Sequence, residues 1–360
     1  LYALETAQLA QRLRLDLGGR YDRTSIHNRD RITPGGGTGS LDSDPVYDHF
    51  NPSAALTWQP SKSTELALSW SQASRPPSAI ELGCSDPASP CRLPNALAGD
   101  PPLRQVVAQT IEVRASLRRE HWALGGGVFH SDASDDILFV TDVPSGFGYF
   151  RNFGKTRRQG FEAEGSVSLG NLSLSANYTH LDATYQSPEV VGGSANSTND
   201  AVAPGFEGSV AIAPGNRIPL IPRHLFKAQA QWNPVSQVSF TLDMTAASSS
   251  FARGNENNLH QADGVYFLGA GKAEGHALFN LAVEFRPVSA VTLFATVRNL
   301  FDKDYATAAQ LGPTAFDANG NFVARPFSAP VIAGEQPLMS STFYAPGAPR
   351  SVQVGARLRF

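Results

Sequence analysis

Apolar and polar residues alternate along much of this chain, most regularly in its last ten residues. From Ser351 to Phe360, apolar side chains occupy every second position, while Arg357 and Arg359 fall on the other parity. Side chains of a β-strand point alternately to its two faces. The segment therefore predicts a strand with one apolar face and one polar, cationic face.

The same period of two residues recurs along the chain, and the period of about 3.6 residues that marks a helix does not form the framework. Between Thr110 and Arg118, for example, every second residue is apolar and most of the others are charged. We predict about thirteen strands, near residues 1–9, 13–25, 47–58, 64–74, 106–118, 121–132, 154–169, 172–185, 221–233, 237–248, 276–286, 290–300 and 349–360.

Short turns and long loops alternate between the predicted strands. A soluble β-sandwich is one explanation, but its strands usually have about five or six residues and its loops do not alternate in this way. Short turns at one end and long loops at the other are typical of an outer-membrane barrel. The predicted fold is therefore all-β, an antiparallel transmembrane β-barrel with its apolar face towards lipid and its polar face towards the lumen. The long loops are rich in Gly, Pro, Ser and Asn and lie near residues 26–46, 75–105, 133–153, 186–220, 249–275 and 301–348.

An odd number of strands cannot close such a barrel, because the first and last strands would run in the same direction. Bacterial barrels have an even number of strands. The chain also opens on Leu1 and Tyr2, without a Met or a basic segment before an apolar one, so the sequence contains no recognisable signal peptide. We therefore expect further strands upstream and regard residues 1–360 as one portion of a larger barrel.

Composition narrows the class of protein further. The net charge is -3, and charged residues make up 17% of the chain, below the usual quarter. Since no basic cluster accompanies this charge, we expect no nucleic-acid partner. No stretch approaches the roughly 18 apolar residues of a transmembrane helix, which argues against a helical membrane protein.

Two cysteines, Cys84 and Cys91, lie close together in a Pro-rich loop. Their spacing allows a local disulfide, which would require an oxidising compartment. Two free thiols are the alternative. A zinc site is not favoured, because a structural zinc ion needs four ligands.

Several stretches of the chain resemble motifs of TonB-dependent outer-membrane receptors, and they occur in that family's order. The resemblance spans nearly the whole chain, and the motifs are more specific together than singly. The stretches are 74–82 (SRPPSAIEL, resembling FRAPs…EL), 100–113 (resembling NPxL…E), 149–162 (resembling yxN…GxE), 299–305 (NLFDKDY, resembling NLFDKxY) and 349–360 (a strand that begins PR and ends in Phe).

The resemblance implies a receptor that imports a scarce solute such as a ferric siderophore, haem or cobalamin. In that family a plug domain fills a barrel of 22 strands, so the thirteen strands would be the last thirteen, and the plug and TonB box would lie outside this chain. The implied partners are the TonB complex acting through the plug, outer-membrane lipid, the barrel-assembly machinery and a metal-chelate ligand. No cofactor is expected, apart from an iron chelate as the transported ligand. Haem is less favoured, because no His lies between Ser74 and Val107.

Charged residues at the polar positions of the alternation are candidates for the lumen wall. They could contact ligand or plug, but pairing across neighbouring strands is the simpler interpretation. Phe360 is expected to serve as a terminal signal for barrel assembly. The lumen-facing candidates are Glu112, Arg114, Glu162, Glu164, Glu284, Arg286, Arg298, Arg357 and Arg359.

The leading functional hypothesis is a ligand-gated importer of a metal chelate in the Gram-negative outer membrane, with a ferric siderophore as the favoured ligand. Loops 75–105, 186–220 and 301–348 would capture the ligand. A passive porin of about fourteen to eighteen strands is the alternative. A barrel protease or lipase is less favoured, because no nucleophile elbow, HExxH motif or phosphate-binding loop occurs in the sequence. We therefore expect no enzymatic activity.

Overall fold

The computed structural model describes residues 1–31, 34–35, 42–83, 103–141, 148–193, 195–204, 206, 208–323 and 339–359. Its elements, in chain order, are β1 (Tyr2–Ala10), β2 (Leu13–Ser25), β3 (Val46–Ser61), β4 (Thr64–Arg75), α1 (Ala79–Gly83), β5 (Val106–Arg118), β6 (Trp122–Thr141), β7 (Gly148–Leu169), β8 (Leu172–Tyr185), β9 (Glu189–Gly192), β10 (Ser209–Ile212), β11 (His224–Val235), β12 (Val238–Ala247), β13 (Ser250–Phe251), β14 (Lys272–Ala273), β15 (His276–Val288), β16 (Val291–Arg298), β17 (Ala306–Thr314), β18 (Met339–Pro346) and β19 (Ser351–Leu358).

Thirteen of these strands form one antiparallel sheet, in the order β1-β2-β3-β4-β5-β6-β7-β8-β11-β12-β15-β16-β19. Each strand therefore pairs with the next strand of the sheet along the chain, and β1 and β19 are its edges. The thirteen predicted strands and the all-β antiparallel fold class are confirmed. Most strand ends agree with the prediction within about three residues, the usual uncertainty of a sequence-based boundary.

Strands β6 and β7 are much longer than the sequence predicted. Their pairing continues from Trp122 opposite Val167 to Thr141 opposite Gly148, so most of the loop predicted at 133–153 is a β-hairpin. At about 3.3 Å per residue, the 20 residues of β6 span about 66 Å. A barrel strand needs only about 9–11 residues to cross a membrane, so roughly half of this hairpin projects beyond it.

Charged side chains support the projecting hairpin, and they are the reason why its sequence resembles a loop. Arg157 donates two hydrogen bonds to the carboxylate of Asp132, at 2.7 and 3.1 Å. Arg158 and the hydroxyl of Thr156 both donate to Asp136, at 3.1 and 2.7 Å. These polar residues break the apolar alternation, yet they pair across the hairpin and extend it.

The apolar face of the main sheet exposes large side chains. Trp58 is 48% exposed, and Phe161, Trp232 and Val354 are also more than one-third exposed. Such a continuous apolar surface is unusual for a soluble protein and marks a surface that contacts lipid or another apolar partner. The alternation of the strands therefore places one face of the sheet in an apolar environment.

The buried apolar side chains of the described residues gather at the long-loop end of the sheet. One cluster surrounds Phe153 and Val210, a second surrounds Leu82 and Leu103, and a third is built mainly of alanines packed against Leu311. Loops and strand ends, rather than the middle of the sheet, thus form the packed interior.

Three small sheets lie within connections that were predicted only as loops. They pair β9 with β10, β13 with β14, and β17 with β18. The five-residue helix α1 was not predicted either. In the part of the chain that is described, no helix combines the length and the apolar character needed to cross a membrane.

Candidate functional site: the loop layer and the polar face of the sheet

Three long connections pack together at one end of the sheet. We call the described residues of 186–223, 248–275 and 299–350 the loop layer. Single parallel bridges join Arg253 to Gln310 and Phe267 to Ser340, so the second connection contacts the third at two places. The first connection joins the second through side-chain hydrogen bonds, and the three loops therefore form one body.

Buried asparagines hold the loop layer together. Asn196 and Asn255 are 0% exposed, and their amide groups donate to Gly254 O at 2.9 Å and to Gly271 O at 3.0 Å. Asn257 donates to the hydroxyl of Thr198 at 2.8 Å. A buried polar group that is hydrogen-bonded fixes its surroundings, because every alternative arrangement leaves it unpaired. This network favours one conformation of the loops.

His260 lies in the same network as a neutral side chain. Its Nδ1 accepts a hydrogen bond from Ser197 N–H at 3.0 Å, so Nε2 carries the proton and donates to Gly269 O at 2.9 Å. Burial lowers the pKa of His260, and the hydrogen bond to Gly269 opposes this shift without reversing it. The ring therefore connects two loops without bringing a charge into the layer.

Glu256 departs from this pattern of satisfied polar groups, as does Nε of Arg223 at the end of the first loop. One carboxylate oxygen accepts Gly254 N–H at 2.9 Å, while the other is inaccessible to solvent and has no hydrogen-bond partner. Burial raises the pKa of Glu256, although the Gly254 N–H and the charge of Arg253 act in the opposite direction. The loop layer therefore contains a carboxyl group that is disfavoured in its charged form.

Four of the predicted lumen-facing residues form one ionic cluster on the polar face. Arg114 on β5 donates to Glu164 at 2.7 Å, and its guanidinium lies 3.7 Å from both Glu112 and Glu162. All four side chains are between one-third and one-half exposed, so each pair contributes about 0–1 kcal/mol. The cluster carries three carboxylates for one guanidinium and is therefore acidic overall.

Glycines on the intervening strand allow Arg114 to reach β7. Gly127 on β6 lies directly opposite both Arg114 and Glu162. At Gly125, a Cβ atom would lie 2.6 Å from a carboxylate oxygen of Glu164. Because these two glycines have no side chains, the guanidinium of Arg114 passes over β6 and contacts Glu162 and Glu164 on β7, which is two strands from β5.

The other five candidates do not join this cluster. Glu284 and Arg286 pair with each other at 2.7 Å along the same strand. Arg298 and Arg357 are exposed and lie opposite the uncharged residues Ser351 and Thr292. Arg359 is also exposed, just beyond β19. The structure thus brings together Glu112, Arg114, Glu162 and Glu164, and leaves Glu284, Arg286, Arg298, Arg357 and Arg359 apart from them.

The segment 299–305 forms a joint between the end of β16 and the start of β19. Asn299 and Asp302 have positive φ angles of 50° and 53°, which Asn and Asp adopt more readily than most residues. The amide of Asn299 donates to Lys303 O at 3.0 Å and to Ala348 O at 3.2 Å. Asp302 accepts the backbone N–H of Arg350 at 3.0 Å. This motif therefore acts by anchoring the third loop.

The segment 75–82 forms a second joint, at the start of α1. Ser78 and Glu81 form a reciprocal capping box, in which each side chain accepts the backbone N–H of the other, at 3.2 and 2.7 Å. Arg75 donates to both carboxylate oxygens of Glu81, at 2.8 and 3.0 Å. Burial raises the pKa of Glu81, but the hydrogen bonds from Arg75 and Ser78 outweigh burial and lower it overall. The box places Leu82 in the buried cluster with Leu103.

Sequence reasoning missed the buried network and the joints. Asn196, Asn255 and His260 lie in loops where such residues are common, and only their positions after folding distinguish them from exposed ones. The predicted disulfide between Cys84 and Cys91 and the terminal residue Phe360 lie outside the described residues. Among the residues that are described, no group of three or more His, Cys, Asp or Glu side chains could hold a metal ion.

A long antiparallel meander with an exposed apolar face, short turns at one end and a loop layer at the other defines an outer-membrane β-barrel protein. Residues 1–300 match the family described as "TonB dependent receptor-like, beta-barrel". The chain therefore belongs to the TonB-dependent receptor β-barrel family, as its motifs indicated. Members of this family are transporters of the Gram-negative outer membrane rather than enzymes, which confirms the predicted localisation and the absence of enzymatic activity.

Solved structures of receptors share this fold at low sequence identity. The siderophore receptor PiuA from Acinetobacter baumannii is 14% identical with a TM-score of 0.62, and 99% of this chain aligns with 42% of that one. The ferric yersiniabactin uptake receptor FyuA from Yersinia pestis is 15% identical with a TM-score of 0.63, and the whole chain aligns with 45% of it. The copper transporter OprC is 18% identical with a TM-score of 0.65, again over the whole chain and 46% of OprC. The chain thus spans less than half the length of these structures.

Proposed function

We propose that this chain is the ligand-capturing part of a receptor that imports a metal chelate, with a ferric siderophore as the favoured class, using energy delivered by TonB. The loop layer is the observation that carries the proposal. Its buried, hydrogen-bonded amides hold three long loops in one arrangement. Pre-organisation of this kind reduces the entropy lost on binding, which benefits a receptor but offers nothing to a passive pore.

The metal chelate is inferred from what the structural relatives have in common. PiuA is a siderophore receptor, FyuA takes up ferric yersiniabactin and OprC transports copper. A metal ion or its chelate is the cargo that these descriptions share. At this low sequence identity, the particular chelate of a relative cannot be assigned to this chain. The proposal therefore names only the chemical class.

We further propose that the polar face lines the barrel lumen and that residues 1–360 form the C-terminal part of a barrel of 22 strands. The coverage of 42–46% of the aligned receptors supports this, as does the odd number of strands in the sheet. The acidic cluster around Arg114 would then face the plug or the passing solute. TonB would act through the plug.

A passive diffusion channel is the second candidate, favoured by the half-exposed charges of the polar face. Uptake of radioactive iron as several ferric chelates, measured in the host strain with and without TonB, separates the two functions. We expect uptake of at least one chelate that disappears when either TonB or this protein is removed. Uptake that persists without TonB, together with steady ion conductance in planar bilayers, would instead establish the channel.

The loop layer can be tested in the same assay with a matched pair of variants. Asn255→Ala removes a fully buried amide, whereas Asn319→Ala removes an exposed one. We expect chelate uptake to fall in the first variant and to stay at the wild-type level in the second. Equal uptake by both variants, at equal amounts in the outer membrane, would exclude the loop layer from ligand capture.

A further inference from the structure

Two histidines lie side by side on the apolar face of the sheet, where a non-ionisable side chain would be expected. His180 on β8 and His224 on β11 are directly opposite in the antiparallel register. Their ring centroids are 4.9 Å apart, and their Nδ1 atoms face each other at 3.5 Å. The hydroxyl of Tyr178 lies 2.7 Å from Nδ1 of His224.

The position of this pair along the strand makes it accessible from outside the cell. Trp232, near the turn end of β11, is exposed on the apolar face, and eight residues separate it from His224. Eight residues of a strand tilted by about 35–45° rise roughly 19–22 Å, which is most of the roughly 25 Å height of a lipid-facing band. His224, the exposed first residue of β11, therefore lies near the upper end of that band and next to the loop layer, where an ion from the external medium can approach.

Hydrogen bonding leaves the contact between the two rings unexplained. When the Tyr178 hydroxyl donates to His224, Nδ1 of His224 is an acceptor and carries a lone pair. A direct hydrogen bond from His180 to the same atom would be long at 3.5 Å and would compete with Tyr178. The Nδ1 atom of His180 and the hydroxyl oxygen of Tyr178 thus lie 3.5 and 2.7 Å from Nδ1 of His224. Neutral imidazole nitrogens held this close together are the donors that a zinc ion binds.

We propose that His180 and His224 bind a zinc ion through their Nδ1 atoms on the outer surface of the receptor. Zinc bonds to imidazole nitrogen at about 2.0–2.1 Å, so two histidines at a tetrahedral angle place their nitrogens about 3.4 Å apart. A square-planar copper(II) ion would need adjacent nitrogens only about 2.9 Å apart. The observed 3.5 Å is closer to the separation in a tetrahedral zinc site than to that in a square-planar copper site.

Zinc would replace the hydrogen bond between Tyr178 and His224, and water would occupy the remaining positions of the tetrahedron. Two protein ligands give weaker binding than the closed sites with four ligands that stabilise folds. The proposed site therefore responds to zinc in the medium rather than holding the ion permanently. It lies on the opposite face of the sheet from the acidic cluster, so it is independent of the proposed transport function.

The test uses the full-length receptor, purified in detergent through a tag without histidine and stripped of metal with EDTA. Titration with zinc chloride in a calorimeter should show one ion per protein at micromolar concentrations. Binding should weaken at least about tenfold in His180→Gln and equally in His224→Gln, because either change removes one of the two ligands. His121→Gln, which alters an exposed histidine in the turn before β6, should bind zinc like the wild type.

Cobalt(II) provides a second readout that reports geometry as well as binding. It should give the strong visible absorption of a tetrahedral site in the wild type, lost in both variants and kept in the control. Heat-dependent mobility on gels identifies the folded fraction, and His180→Asn replaces His180→Gln if the latter misfolds. Zinc binding that survives in either variant, that also falls in the control, or that is absent below about 100 µM would overturn the proposal. Chelate uptake should be unchanged in all the variants. Failure of the uptake assay would therefore concern the proposed transport function and not the zinc site.

Discussion

Gly347 lies so close to the ring of Tyr305 that one added methyl group should disrupt the joint between β16 and β19. A Cβ atom at Gly347 would lie 2.1 Å from Cζ of Tyr305 and 2.3 Å from its two Cε atoms. Carbon atoms in ordinary contact are about 3.5–4.0 Å apart, so the ring would have to move by about 1.5 Å. Movement is restricted, because the Tyr305 hydroxyl accepts Ala348 N–H at 3.2 Å and the ring packs against His276.

The size of the effect follows from these contacts. Overpacking of this kind costs about 1–3 kcal/mol, and loss of the hydrogen bond to Tyr305 adds about 1 kcal/mol. We therefore expect Gly347→Ala to destabilise the joint by about 2–4 kcal/mol. Tyr305→Ala removes the obstacle, so the double variant should be more stable than the sum of the single effects by about 1–3 kcal/mol.

Hydrogen exchange on the full-length protein measures this free energy locally, at the backbone amides of residues 347, 348 and 350–352. The matched control is Gly312→Ala, since a Cβ atom there would lie 3.4 Å from Phe343, close to ordinary contact. The reasoning is refuted if Gly347→Ala exchanges no faster than Gly312→Ala. It is also refuted if the effect of Gly347→Ala is as large in the Tyr305→Ala background as in the wild type.

Three further changes test the polar groups of the loops and the sheet. Glu256→Gln should slow hydrogen exchange of the loop layer at pH 7, because burial disfavours the charged carboxylate and the variant replaces it with a neutral amide. The folded pKa of Glu256 lies above its ordinary 4.5, so the wild-type loops are most stable below pH 4.5 and the advantage of the variant should vanish there. The pH dependence at Glu81 has the opposite sign. The pKa of Glu81 in the folded protein lies below 4.5, so the joint around α1 is stable above pH 4.5. Its amides should lose protection from hydrogen exchange as the pH falls through the folded pKa. Arg114→Met should change the unfolding free energy in denaturant by less than about 1 kcal/mol, because its ion pairs are partly solvated, and a larger loss would show that the cluster supports the barrel.

The main sheet could be predicted from sequence because each strand separates two environments. A strand with lipid on one side must alternate, and the alternation around Ile111 and Val113 is clear enough to place β5 at the predicted residues. Agreement is poorest where the environment no longer differs between the faces. Beyond Asp132 neither face of the hairpin contacts lipid, because Ala133, Ile137 and Phe153 are buried in the clusters at the long-loop end. The period of two is lost there, and β6 and β7 continue unseen to Thr141 and from Gly148.

The candidate site was predicted only in part, for a different physical reason. Parity identifies the face on which a charged residue lies, so Glu162 and Glu164 could be assigned to the polar face. Parity cannot show that Arg114 reaches across a strand, because this depends on the missing side chains of Gly125 and Gly127. The positions of the buried asparagines follow no period in the sequence, because their hydrogen-bond partners come from loops distant in sequence.

The motifs that identify the family hold the loop ends, and this determines where ligand specificity can lie. A joint such as 299–305 requires particular donors, acceptors and left-handed backbone angles, so its sequence follows from geometry rather than from the ligand. Residues between joints that make no such contacts, such as Val202, which is 89% exposed, have no comparable requirement and are free to vary with the cargo. Substitutions at Val202 should therefore change which chelate is taken up. Substitutions in the joint at 299–305 should instead reduce the uptake of every chelate alike, because they loosen the loops that all of them must contact.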